Sequence, residues 1–93
     1  MSRSLRQPVV VVEPSSSPRT FRHARELSGR TLREVAPATG IALPQLCRFE
    51  LGKYALGESH RVKLARVLNA ALADRVRELQ KIGALEQVEQ IAT

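Results

Sequence analysis

The sequence predicts an all-α fold: four to five helices, an extended C-terminal helix, and a flexible or strand-forming N-terminal arm. Three observations point there. Apolar residues recur at helical spacing from Phe21 to Leu68. Start and stop signals alternate between those runs, with TLRE at 31–34 as a start and Gly29, Gly40 and Gly52 as stops. Only Val9–Val12 reads as a strand, and one strand without a partner is not stable.

Residues 1–19 carry Pro8, Pro14, Pro18 and a serine run, the composition of a tail or linker. They are expected to form a flexible arm, or else to pair Val9–Val12 with the same strand of a second subunit. From Thr20 the pattern turns helical, with Phe21, Ala24 and Leu27 on one face and Ser28-Gly29 as the stop. Thr31 and Glu34 then form a capping box, each side chain taking an orphan N–H of the other. Leu32, Val35 and Ala36 give the second helix its inner face and Gly40 closes it, while Pro37 predicts a kink or an early end.

The third helix starts near Leu43, with Pro44 in the first turn, where a missing N–H costs nothing. Ile41, Leu46, Phe49 and Glu50 face inward; Pro44, Gln45, Cys47, Arg48 and Leu51 face outward or lie at the margin. After the linker KYALG, a fourth helix runs through Val62, Leu64, Ala65, Val67 and Leu68 and is expected to end near Asn69, closing a domain over 20–69. Residues 70–93 form a further helical segment. Leu72, Val76 and Leu79 follow a coiled-coil seam that fails at Gly83 and Glu86, and Ile82, Leu85, Val88 and Ile91 then recur at every third position. A break near Gly83 is expected.

Lys plus Arg outnumber Asp plus Glu by 15 to 9 over 93 residues, net +6. That balance suits a polyanionic partner. Its distribution is uneven: residues 1–68 hold 12 basic and 5 acidic side chains, residues 69–93 hold 3 and 4. Cys47 is the single cysteine, which excludes an intrachain disulfide and a cysteine-based zinc site. The four valines are too few for a signal peptide's apolar region, and no run approaches a membrane span. A bacterial cytoplasmic or nucleoid location is therefore expected, without membrane contact. No Gly-rich phosphate loop, paired carboxylate or nucleophile–base pair appears, so neither catalysis, a cofactor, a metal nor a small-molecule ligand is expected.

Two helices joined by a short Gly-containing turn, then a helix with a polar outer side, describe a helix-turn-helix. The major groove admits one helix, and base edges there present distinguishable donors, acceptors and methyls. The run SGRTLREVAPATGIALPQLCRFELGK resembles the Cro/lambda-repressor-like, or XRE, family of DNA-binding proteins over about residues 20–70. Arg25 four residues before Gly29, Thr31 as cap, Ala36 and Gly40, Ile41, Leu46, Phe49, Glu50 and Gly52 carry the likeness, with LARVL at 64–68 matching a fourth helix. The resemblance implies that Leu43, Pro44, Gln45 and Arg48 lie at base edges, that Lys53 and Tyr54 approach phosphates, and that Arg25 pairs with Glu50. Leu32 stands where the family commonly has a phosphate-holding Gln, and Ala42 where it commonly has a capping Ser or Thr. Thr31, Arg33 and helix N-termini are left to hold phosphate.

Several side chains have two roles open. Arg48 either reads guanine or is a solvated or phosphate-bound cation. Gln45 takes adenine or reaches back to cap the helix; Leu43 meets a thymine methyl or belongs to the core. Cys47 reads as a small filler and His23 and His60 as surface histidines. Arg22, Arg30, Arg33, Arg61 and Lys63 are phosphate contacts or members of a solvated face. The expected function is a small Cro-type repressor that binds a pseudo-palindromic operator in double-stranded DNA as a homodimer, with half-sites about 34–36 Å apart. Leu72, Val76, Leu79, Leu85 and Val88 are the expected dimerisation residues. The alternative is a protein-binding module, antitoxin-like or polymerase-binding, that uses the C-terminal helix and contacts DNA only secondarily.

Overall fold

A computed structural model describes residues 11–82, and within them the chain is all-α, with four helices and no strand. α1 spans Pro18–Ser28, α2 Leu32–Thr39, α3 Leu43–Glu50 and α4 Glu58–Lys81. α3 packs against α1 and α2, and α4 packs against the same two helices. Among these residues no helix is long and apolar enough to cross a membrane.

Local signals account for most helix ends. Ser17 accepts the Thr20 N–H at 3.1 Å, and Pro18 fills the first turn, so α1 begins two residues before the expected Thr20. The capping box forms in full: Thr31 Oγ1 accepts from Glu34 N at 3.2 Å, and Glu34 Oε1 accepts from Thr31 N at 2.8 Å. Pro37 neither ends α2 nor brings the stop forward, since the helix continues to Thr39. It forfeits one bond, to the carbonyl of Arg33, and both residues are exposed. α3 ends in a left-handed turn at Gly52 (φ 77°), where Gly52 N–H donates to Phe49 O at 2.9 Å and Lys53 N–H to Arg48 O at 2.8 Å. That paired closure needs a positive φ that an L side chain resists.

The core gathers Phe21, Val35, Ile41, Leu46, Phe49, Leu56, Leu64, Leu68 and Leu72. Phe21 and Phe49 meet edge to face, centroids 5.4 Å apart. Leu27, expected inward, is 44% exposed, and Ser28 is buried in its place. Each three-residue step falls about 60° short of a full turn, so Leu27 rotates out of the stripe begun at Phe21 while Ser28 rotates in.

Three expectations need larger correction. The fourth helix does not end near Asn69; α4 runs 24 residues through it. Asn69 turns its carboxamide away from its own backbone and onto Val12, accepting the Val12 N–H at 2.9 Å and donating to the Val12 carbonyl at 3.0 Å. With its side chain so engaged, it does not compete for the helical bonds around it. The arm is likewise docked from Val12 onward. Val12 is 2% exposed and belongs to the core, whereas Val11 is 63% exposed. Val9 and Val10, half of the expected pairing strand, lie outside the described residues. Leu72, finally, is not available to a second subunit, because it is buried in the core of its own chain. Val76 and Leu79 are half-buried; Leu85, Val88 and the expected break at Gly83 lie outside the described residues.

Asn69→Ala leaves the Val12 amide and carbonyl without partners. A buried polar group stranded in this way costs about 1–3 kcal/mol. Alanine's better helix propensity returns at most about 0.7 kcal/mol. Urea denaturation is expected to show a net loss of stability together with faster amide exchange at Val12; unchanged exchange there would show that the clamp does not hold the arm.

Candidate nucleic-acid interface

The third helix is eight residues long and lacks a side-chain cap at Ala42. A helix so short is not stable alone, so its back must hold it. Leu46 and Phe49 are fully buried, and Glu50 joins them at 8% exposure. The Glu50 carboxylate takes a two-point bond from Arg25: Nε to Oε2 at 2.8 Å and Nη2 to Oε1 at 3.0 Å. Nη1 of Arg25 donates to the Arg30 carbonyl at 3.0 Å, tying the α1–α2 turn to the same fork. The side chains are 15% and 5% exposed, so the expected pair lies inside the protein. Its hydrogen bonds to Glu50, with the attraction between the charges, outweigh the desolvation penalty and raise the Arg25 pKa. A cation whose folded pKa is raised stabilises fully below its unfolded pKa, and that contribution fades only as pH climbs through the raised value. The pair's cation is therefore secure throughout neutral and moderately alkaline solution.

On the outward side, Pro44, Cys47, Arg48 and Leu51 are exposed and Gln45 is half-exposed. Cys47 stands on the outward side, where helical spacing placed it. Leu43 lies at the edge, partly buried and packed against the core, the alternative open to it from sequence. Gln45 neither caps the helix nor stands free: its Nε2 donates to the Tyr54 hydroxyl at 3.2 Å. Tyr54 is 39% exposed. The turn at Gly52 folds the chain back on itself, which brings these side chains, nine residues apart, together.

The cations singled out from sequence differ in what holds them. Arg22 pairs with Glu26 at 3.2 Å and Arg30 with Asp74 at 3.7 Å. Arg33, Arg48, Lys53 and Lys63 are exposed and form no ion pair among the described residues. Thr31 is exposed, with its hydroxyl already accepting a helix N–H. Arg61, grouped from sequence with the surface cations, has a structural duty instead. Its guanidinium lies over Phe49 at 5.1 Å and Phe21 at 5.9 Å. It donates to the carbonyls of Pro14 and Ser16, both at 2.9 Å, and to that of Leu56 at 3.3 Å. Periodicity gave no sign of this role, since its partners lie up to 47 residues away.

Compared with protein-family models, with curated proteins and with solved structures, the chain matches none of them.

Removing one partner of a buried ion pair costs about 3–5 kcal/mol, because the other charge is left alone in a poor solvent. Glu50→Gln and Arg25→Met are each expected to lose about that much in equilibrium denaturation. The double variant Arg25→Met/Glu50→Leu should lose much less than the sum of its singles. Simple additivity would show that the two residues act independently.

Proposed function

We propose that this chain is a sequence-specific regulator of transcription, a small Cro-type repressor that binds a pseudo-palindromic operator as a homodimer. One observation carries the reading. α3 is locked from behind by Leu46, Phe49 and the Glu50–Arg25 fork, while Arg48 and Gln45 project from its free side. A helix held this way suits the major groove, where a guanidinium forks onto guanine O6 and N7 and a carboxamide onto adenine N6 and N7. Pro44 would meet a thymine methyl, and Arg33, Lys53 and Lys63 would neutralise phosphates without reading sequence. Dimerisation falls to the α4 end, where Val76 and Leu79 are half-buried and Ile82 is 73% exposed. Repression would follow from occlusion of a promoter.

A second reading, a protein-docking module, draws on Leu51, which is 55% exposed on the same outward side as Pro44 and Cys47. Salt separates the two, because neutralising phosphates releases counterions and makes affinity fall steeply with ionic strength.

The test is titration of DNA from upstream of the chain's own gene against random duplex, over a salt series. For the wild type, a preference of about a thousandfold or more is expected, in the range of specific binders. Arg48→Ala should lose about 1–3 kcal/mol on the preferred site and little on random duplex. Weak binding, indifferent to both salt and Arg48, would overturn the DNA reading in favour of a protein partner.

A further inference from the structure

The contact between Gln45 and Tyr54 has a geometry that bears on which base is read. A glutamine carboxamide on a flexible stem presents two N–H donors and one acceptor oxygen, and free rotation lets it serve several bases. Here one of its two N–H groups is committed to the Tyr54 hydroxyl at 3.2 Å, and Gln45 is half-buried while Tyr54 keeps 39% of its surface. Accepting from Gln45 leaves the phenol proton free to be donated onward, and the phenol carries no charge. Lys53, the preceding residue, is exposed and without an ion-pair partner among the described residues, so a cation available to an anionic partner stands next to Tyr54 in the chain.

Resting on the DNA-binding reading, we infer that Tyr54 is a positioning residue that makes Gln45 selective for adenine. Its hydroxyl donates to a backbone phosphate and accepts from Gln45 Nε2. That direction of bonding fixes which end of the carboxamide faces the tyrosine. The second Nε2–H and Oε1 then present one donor and one acceptor side by side, the complement of adenine N7 and N6–H. Guanine, with acceptors at both N7 and O6, is mismatched to the fixed oxygen. Tyr54 thus converts a phosphate contact, blind to sequence, into a constraint on base choice.

The assignment differs from the expectation that Tyr54 only approaches a phosphate. A phosphate contact alone would strengthen binding to all sequences equally, whereas a positioning residue acts on one base pair.

The experiment begins with selection of the preferred duplex from a random pool by the full-length wild-type chain. Affinities are then measured for wild type, Tyr54→Phe, Gln45→Ala and the double variant. The probes are the selected duplex, the same duplex with the adenine replaced by guanine, and one carrying 7-deazaadenine, which lacks the N7 acceptor. Wild type is expected to lose about tenfold on either base change, the scale of one good base contact. Tyr54→Phe keeps the ring and should lose most of that discrimination while its salt slope stays that of wild type, because no charge is removed. On the Gln45→Ala background, Tyr54→Phe should change base preference no further. Full adenine discrimination by Tyr54→Phe, or wild-type indifference to 7-deazaadenine, overturns the assignment while leaving DNA binding intact. Absence of any selected sequence for the wild type overturns the DNA-binding reading, and this inference with it.

Discussion

The contact on which the rest of this molecule depends is the meeting of Phe21 and Phe49 under the guanidinium of Arg61. The two rings join α1 to α3, the short helix that could not stand by itself. Arg61 comes from the first turns of α4 and lies over both rings, so a third helix is fastened to the same point. Its remaining donors hold the carbonyls of Pro14, Ser16 and Leu56, which anchors the arm and the α3–α4 linker. A domain this small buries little apolar surface for its chain length. One side chain that organises four segments makes up part of the deficit, and a lysine could not replace it. A single ammonium lacks both the flat face for stacking and the forked donors for three carbonyls.

Arginine serves here in three different ways. Arg25 is buried and paired, its fork matched to the Glu50 carboxylate; Arg61 is stacked and half-buried; Arg48 is exposed and unpaired among the described residues. Pairing leaves the net charge of +6 unchanged, because each paired arginine takes an acid with it, but it lowers the number of cations free to meet an anionic partner. Arg22 and Arg30 are also offset, by Glu26 and Asp74, although at the surface such pairs contribute little stability. Among the described residues Arg19, Arg33, Arg48, Lys53, Lys63, Arg66 and Lys81 are exposed and form no ion pair, and they are spread over all four helices and the turn that follows α3.

Whatever is encoded within one turn of chain could be read from the sequence. The capping box of Thr31 and Glu34, the proline in the first turn of α3 and the glycine stops all act over four residues or fewer, and each appears where local chemistry requires it. The inward set Ile41, Leu46, Phe49 and Glu50 was legible for a related reason, since helical periodicity projects directly onto burial. Contacts that cross the fold were not. Val12 and Asn69 are 57 residues apart, and neither type announces the other: a valine beside prolines and serines reads as tail, and an asparagine after a leucine run reads as a stop. The outward face was legible only in part, because composition shows that Gln45 is polar but not that Tyr54 holds it.

That division explains why the back of α3 matters as much as its front. Adjacent residues on a helix point about 100° apart, so burying Phe49 and Glu50 fixes where Arg48 must point. Apolar packing alone tolerates small rotations, since hydrophobic contact is not directional. The two-point bond from Arg25 to Glu50 is directional, and it acts at the C-terminal end of the helix, next to Arg48. Gln45, near the other end, is restrained from the front by Tyr54. A helix that would fray in isolation is thus oriented at both ends, by a fork behind and a phenol ahead. Base edges discriminate only against donors held within a narrow range of angle and distance. Under the proposed function, sequence preference would belong to the outward residues together with the groups that keep them from turning.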